Sequence, residues 1–175
     1  GALVSLVGGH DFRHLQFDHA MQARRQPGSG FKPFLYSAAL DAGYTPASLF
    51  NDAPLVFRDD GLEGTYRPRN STGDFRGPTR LREALYRSIN LVSMRVLLAV
   101  GADRVIEYAA GLGFDTRSFP RNTQLAVGGG TMGVSPLEMA AGYAVIANGG
   151  FRVEPYLIRE VRTTGAEEPI LQARP

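Results

Sequence analysis

Two short runs hold side chains able to do covalent chemistry together. The first is Ser29-Gly30-Phe31-Lys32 and the second is Ser88-Ile89-Asn90. A serine hydroxyl is a weak nucleophile until a base stands beside it. A lysine amine serves as that base when burial or a neighbouring charge brings its pKa toward neutrality. An arginine never does, because its guanidinium keeps its proton. The distinction matters here, since 18 of the 19 basic residues are arginine and Lys32 is the single lysine. At the start of a helix, positions three apart share a face, which puts the Ser29 hydroxyl within reach of the Lys32 amine. The main-chain N–H of Ser29 would point at a developing oxyanion there, and the positive end of the helix would disfavour a charged Lys32. Gly28 and Gly30 flank the serine and leave room for another backbone or a substrate. Ser88 offers a hydroxyl to relay a proton, and Asn90 a carboxamide to hold a substrate amide or the lysine. Each run taken by itself is better read as plain helix capping, for which Ser and Asn are both favoured.

The elements that must carry these residues are read from pattern and punctuation. Ala2 to Val7 reads as a strand closed by Gly8-Gly9. Ala20, Met21 and Ala23 suggest a short helical turn. After the break Pro27-Gly28-Ser29-Gly30 a helix fits Ser29 to Ala42, with Pro33 in its first turn and Gly43 as its stop. Tyr44 to Gly77 is rich in Pro, Gly, Asn and Asp, with one short strand expected at Pro54 to Arg58. So long a loop region inside a compact domain is often functional. A helix then starts at Pro78-Thr79 and runs to Arg87. Ser88-Ile89-Asn90 separates it from a second helix, Leu91 to Val100, capped by Gly101. Asp103 reads as the N-cap of a third, Arg104 to Ala110. Gly128-Gly129-Gly130 reads as a flexible loop. Ser135-Pro136-Leu137-Glu138 is a capping box opening a helix to Ala147, which accounts for Glu138 without a catalytic role. Arg152 to Thr163 alternates as a strand, with Val153, Tyr156, Ile158 and Val161 inward. A turn at Thr164-Gly165-Ala166 leads to a return strand at Pro169 to Gln172. Helices between strands place the chain in the α+β, or mixed α/β, class.

Composition narrows the chemistry further. At 175 residues, 43% hydrophobic and 21% charged, the chain is long enough to bury a core as one domain. A net charge of +2 and no basic run longer than Arg24-Arg25 argue against a nucleic-acid partner. The absence of cysteine removes disulfide scaffolds, thiol catalysis and Cys-ligated zinc. His10, His14 and His19 lack the acidic partners a metal site needs, so no metal and no cofactor is expected. Gly128-Gly129-Gly130 lacks the Lys-Ser/Thr of a phosphate loop. The most apolar stretch, Leu91 to Leu112, is interrupted by Arg95, Asp103, Arg104 and Glu107, so no transmembrane helix or signal peptide is read. The sequence starts at Gly1 inside an expected strand, and the reading is of a piece of a longer protein, with any membrane anchor outside it.

The wording around the two runs carries a family resemblance. Arg25-Gln26-Pro27-Gly28-Ser29-Gly30-Phe31-Lys32-Pro33-Phe34 resembles the active-site serine segment of class A penicillin-binding proteins, and Leu3 to Phe12 resembles the segment before it. Gly77-Pro78-Thr79 through Arg87-Ser88-Ile89-Asn90-Leu91-Val92-Ser93 is similar to their second-motif helices. Leu125-Ala126-Val127-Gly128, Ser135 to Ala140, Tyr143-Ala144-Val145 and Ala147-Asn148-Gly149-Gly150 are similar to the family's segment after those helices. These blocks stand in the family's order over nearly the whole chain.

The resemblance implies a transpeptidase fold of the penicillin-binding-protein and serine β-lactamase type: an antiparallel sheet, here incomplete, with a helical subdomain. It implies a DD-transpeptidase acting on peptidoglycan stem peptides that end in D-Ala-D-Ala, and acylated by β-lactams. Ser29 would be the nucleophile and Lys32 its base or proton shuttle. Ser88 would pass the proton to the departing amine, and Asn90 would bind substrate amide and fix Lys32. It places the parent protein on the outer face of the cytoplasmic membrane, in the bacterial periplasm, and class A relatives also carry a glycosyltransferase domain.

The sequence departs from the family in one respect. The third motif, Lys-Thr-Gly, is absent, and the chain is expected to be part of the transpeptidase domain, residues 1–175, weakly active or inactive alone. The open sheet edge invites pairing with another chain and leaves self-association open. Two other readings stand beside the transpeptidase. One is a non-enzymatic β-lactam-sensing or protein-binding domain. The other is a DD-carboxypeptidase or β-lactamase, ranked low because no Glu is followed four residues later by Asn.

Overall fold

The computed structural model describes residues 1–58, 65–165 and 167–173. The chain divides into two compact units. One is formed by residues 26–111 and 115–133, the other by 1–25, 112–114 and 134–175.

The first unit holds both catalytic-type runs. It opens with a 3-10 turn, Gly28–Phe31, that passes directly into helix α1, Lys32–Asp41. The expected single helix from Ser29 is therefore two pieces: Ser29 sits on the 3-10 turn and Lys32 is the first α-helical residue. The Lys32 N–H donates to the Ser29 carbonyl, which winds the turn tighter than an α-helix would. Pro33 lies in the first helical turn, where its missing N–H leaves no bond unmade.

Four short strands come next, with helices after them. Strand β1, Leu49–Asp52, pairs antiparallel with β4, Gly77–Arg80, in the register Leu49↔Arg80 to Asp52↔Gly77. Between them β2, Phe57–Arg58, pairs with β3, Thr65–Tyr66. The Tyr44–Gly77 region and its exit differ from expectation: β1 and β3 were not anticipated, and two boundaries move. The strand expected at Pro54 starts only at Phe57, and Pro78-Thr79 lies in β4 rather than opening a helix. Proline is tolerated there because the sheet has two strands, so one edge of β4 needs no ladder donor. Helix α2 is consequently shorter than expected, Leu81–Tyr86. Helix α3, Asn90–Val100, ends at Gly101 with φ 91°, as the pattern foretold. Helix α4, Ala102–Gly111, starts ahead of Asp103, which lies in its first turn rather than at its cap.

The core of this unit is α1 packed on α3. Phe31, Phe34, Leu35, Leu91, Val92 and Leu125 are fully buried. Each large apolar side chain removed from water in this way contributes about 1.5–3 kcal/mol. Phe31 meets Phe119 edge-on, ring centroids 5.5 Å apart. The Tyr36 hydroxyl and Ser93 Oγ lie 3.1 Å apart, and Ser93 Oγ donates to the Ile89 carbonyl at 2.8 Å. This buried polar chain locks α1 against the start of α3. Burial also pushes the Tyr36 phenol up to about 12.

The second unit contains helix α5, Pro136–Ala147, and the hairpin β5, Glu160–Val161, with β6, Leu171–Gln172. The capping box is formed as read: Ser135 Oγ accepts from the Glu138 N–H at 3.1 Å, and Glu138 Oε2 accepts from the Ser135 N–H at 2.7 Å. Arg24 also donates to Glu138. The hairpin pairs Glu160 with Gln172 and Val161 with Leu171. Its turn, expected at Thr164 to Ala166, includes Ala166, which lies outside the described residues. The strand expected at Ala2 to Val7 is reduced to one parallel bridge, Ala2↔Tyr156. Of the residues expected to face inward, Val153 and Tyr156 are half-buried, whereas Ile158 and Val161 are 57% and 41% exposed. Period-two alternation marks a half-buried strand only when a neighbouring layer covers one face, and none of the described residues covers these. The short helical turn expected around Ala20 to Ala23 is a single turn closed by the Gln22 N–H on Asp18 O at 2.8 Å, and Asp18 Oδ1 accepts from the Ala20 and Met21 N–H groups.

Candidate active site

The lysine at the head of α1 is 1% exposed. Its Nζ donates three hydrogen bonds: to Ser88 O at 2.7 Å, to Ser88 Oγ at 2.9 Å and to Asn90 Oδ1 at 2.7 Å. The two runs, more than fifty residues apart in sequence, thus meet at one nitrogen. Burial lowers the Lys32 amine from 10.5 to about 8. Desolvation disfavours the ammonium, while three oxygen acceptors in place of water keep it from becoming wholly neutral.

Ser29 is exposed on the turn immediately before α1. Among the described residues, the three partners of Lys32 do not include Ser29. The sequence pattern pairs Lys32 with Ser29 first and with Ser88 and Asn90 second; in this state the second set holds the amine. An ammonium has three N–H groups and all are engaged here. Deprotonation would free a lone pair to accept a hydroxyl proton.

Ser88 has φ 55°, the one non-glycine residue in the left-handed region among those described. The local sequence explains the position but not the residue type. Arg87 is the C-cap of α2, the Ser88 N–H donates to Leu85 O at 2.9 Å, and the Ile89 N–H donates to Ala84 O at 2.9 Å. This is the paired closure of a helix whose next residue turns left-handed, a place that glycine usually fills. A serine there accepts backbone strain on the order of 1–3 kcal/mol in return for a hydroxyl on Lys32. The two capping alternatives divide: Ser88, one residue beyond the C-cap of α2, does take part in closing that helix, whereas Asn90 is the first residue of α3, preceded by Ile89, and is not its N-cap.

Two glycines bring the walls of the site together. The Gly28 N–H donates to Gly128 O at 3.1 Å. Gly128 has φ 61°, and a Cβ on it would stand 2.2 Å from Gly28 O. The segment read as a flexible loop is therefore a close backbone contact behind Ser29, directly after the 3-10 turn Thr123–Val127. Gln26 Nε2 adds a bond to Gly130 O at 2.6 Å.

Sequence reasoning did not single out Asp52 and Asn70, both buried. They belong to the long Tyr44–Gly77 region whose composition was the only signal available. Asn90 Nδ2 donates to Arg69 O at 3.3 Å, and Asn70 accepts from the Leu91 N–H at 3.1 Å. A cavity of about 340 Å³ opens beside Ser88, lined among others by Asn70, Thr72, Arg76 and Arg87.

The family model described as "Penicillin binding protein transpeptidase domain" matches residues 1–175. The chain is 50% identical over 175 residues to penicillin-binding protein 1A of Pseudomonas aeruginosa, covering 100% of this chain and 21% of that protein. It is 43% identical over 161 residues to penicillin-binding protein 1A of Escherichia coli, covering 92% of this chain and 19% of that protein. The chain spans about a fifth of the length of these curated relatives. The crystal structure of penicillin-binding protein 1A from Haemophilus influenzae superposes with TM-score 0.85 at 36% identity, over 97% of this chain and 25% of that one. The imipenem acyl-enzyme complex of penicillin-binding protein A from Mycobacterium tuberculosis matches with TM-score 0.71 at 26% identity, over 82% of this chain and 37% of that one. A serine and a buried lysine three residues apart, a second run gathered on that lysine, and a match along the whole sequence place the chain in the penicillin-binding protein transpeptidase family.

Proposed function

We propose that this chain contributes the acylation centre of a serine DD-transpeptidase that cross-links peptidoglycan stem peptides and is acylated by β-lactams. The observation that carries the reading is the sole lysine, buried, with its Nζ on Ser88 and Asn90. The mycobacterial relative captured as an imipenem acyl-enzyme supports it. In this reading Ser29 Oγ attacks the carbonyl between two D-alanines, and its proton passes to the neutral Lys32 amine. The Oγ–C bond forms and the C–N bond breaks. Ser88 relays a proton from Lys32 to the departing D-alanine amine, and the acceptor amine of a second stem peptide resolves the ester. Asn90 fixes Lys32 through Oδ1; its Nδ2 would leave Arg69 O to bind a substrate amide. No step calls for a metal or cofactor.

The Lys-Thr-Gly motif is not in this sequence. The chain alone is accordingly expected to turn over D-Ala-D-Ala peptides weakly or not at all. No helix among the described residues is long and apolar enough to cross a membrane. Work on peptidoglycan would place the parent protein in the periplasm.

The test is intact mass after incubation with a penicillin, with Ser29→Ala as control, on this chain and on a longer one carrying the third motif. An adduct lost in Ser29→Ala supports the reading. An adduct from the longer chain alone assigns the remaining contribution to the third motif. Failure of both removes the catalytic reading and brings a non-enzymatic binding domain forward.

A further inference from the structure

Two buried polar side chains outside the Lys32 cluster converge on the start of α3. A helix begins with N–H groups that have no partner inside it. Ile89, the residue preceding α3, makes no side-chain cap bond. The Leu91 N–H is met instead by Asn70 Oδ1, from 21 residues earlier, at 3.1 Å. The amide of Asn70 is held in that orientation from its other end: Nδ2 donates to Asp52 Oδ1 at 2.7 Å and to Asp74 O at 2.9 Å. Asp52 is 1% exposed at the end of β1, and its Oδ2 accepts from the Arg76 N–H at 3.1 Å. Among the described residues the partners of Asp52 are an amide and a main-chain N–H, with no cation. A carboxylate buried on such terms is costly, and stability alone is a poor reason for it.

The same stretch also touches Asn90 directly, since Arg69 O accepts from Asn90 Nδ2 at 3.3 Å. Residues 69 and 70 therefore grip Asn90 by its side chain and by the main chain next to it. With Nδ2 committed to Arg69 O, Oδ1 faces Lys32.

We propose that Asn70, oriented by Asp52, is a positioning residue of the acylation centre: it sets the first turn of α3 and so aims the Asn90 carboxamide at Lys32. The proposal rests on the acyl-enzyme reading for its consequence in rate, but its geometry can be read separately. Lys32 is the only lysine in the sequence, so ¹³C-lysine labelling of the full chain yields a single ε-methylene resonance.

The variants are Asn70→Asp, which sets two carboxylates against each other, and the exchange Asp52→Asn with Asn70→Asp. The exchange restores the donor–acceptor pair between residues 52 and 70 and keeps an acceptor for the Leu91 N–H, but leaves Asp74 O without its donor. Asn70→Asp is expected to slow acylation by a fluorescent penicillin at least about tenfold and to shift the Lys32 resonance, both reversed in part in the exchange variant. Unchanged rate and resonance in Asn70→Asp would overturn the proposal, as would an exchange variant that folds with both displaced as far as in Asn70→Asp. If Asn70→Asp does not fold, Asn70→Ala decides: slowed acylation with a shifted resonance supports the proposal, and a folded variant with both unchanged overturns it. Should the wild type form no penicillin adduct while the resonance still shows this pattern, the positioning stands and the acyl-enzyme reading falls.

Discussion

Lys32 Nζ donates to both the main-chain carbonyl and the hydroxyl of Ser88, at 2.7 and 2.9 Å. The two bonds require each other. The hydroxyl stands beside the carbonyl on the same amine in a residue whose backbone is turned left-handed at φ 55°. A residue of ordinary φ would end α2 differently and carry its carbonyl elsewhere. The strain at Ser88 and the capture of Lys32 are thus one feature of the fold.

Replacing this serine separates its two contributions. Ser88→Gly relieves the left-handed strain, whereas Ser88→Ala keeps it and loses the same hydroxyl. Thermal melts are expected to place the glycine variant about 1 kcal/mol above the alanine variant. Both are expected to lose roughly 10²-fold in the rate of penicillin acylation, because neither can relay a proton. Equal rates to wild type in either would remove the relay role.

The acylation rate should track deprotonation of Lys32. With the amine lowered to about 8, the second-order rate with a penicillin is expected to rise with pH and level off above that value. Lys32→Arg keeps the charge but cannot give up its proton, and should abolish the rise along with most of the rate. A flat profile between pH 6 and 9 would exclude Lys32 as the base.

Stability should depend on pH through the same amine and through Tyr36. The unfolded Lys32 titrates near 10.5 and the folded one near 8, so the unfolded chain binds the extra proton between those values. Stability therefore rises across that window, by an amount on the order of 3 kcal/mol if the shift is fully expressed. Tyr36 acts in the opposite sense. Its folded pKa of about 12 lies above the ordinary 10.0, so the unfolded chain loses its proton first and stability falls above pH 10. Urea melts are expected to show a maximum near pH 10, and Lys32→Met to flatten its lower flank.

The glycine contact behind Ser29 is tested by Gly128→Ala. The added Cβ would meet Gly28 O at 2.2 Å, on a backbone already at φ 61°. A loss of roughly 2–4 kcal/mol is expected, with slower acylation because Gly28 must shift beside the nucleophile. Gly101→Ala provides the comparison: φ is 91° but nothing lies within 4 Å of the new atom. It should lower the melting temperature and leave the acylation rate unchanged.

Much of the local structure was legible in residue order because it is set by near neighbours. The capping box at Ser135 and Glu138 and the stop at Gly101 depend on contacts within a turn or two. The strand expected at Ala2 to Val7 and part of the inward face of Arg152 to Thr163 failed for the converse reason: Val153 and Tyr156 are half-buried, but Ile158 and Val161 are exposed. Alternation predicts burial only where another layer supplies the covering, and Ile158 at 57% exposure has none among the described residues.

The site divides along the same line. Residue types and spacing alone determined that Ser29 and Lys32 stand close together around the start of a helix, that Lys32 is the single lysine, and that Ser88 and Asn90 form a second polar pair where one helix gives way to the next. Only the tertiary structure decided which of them the amine holds: packing α1 on α3 buries Lys32 and brings up Ser88 and Asn90 from more than fifty residues away. It alone made Gly128 a wall rather than a loop, and turned Asp52 and Asn70 into the support of α3. Hydrogen bonds and desolvation act over a few ångströms, and which groups come that close is a property of the folded core rather than of residue order.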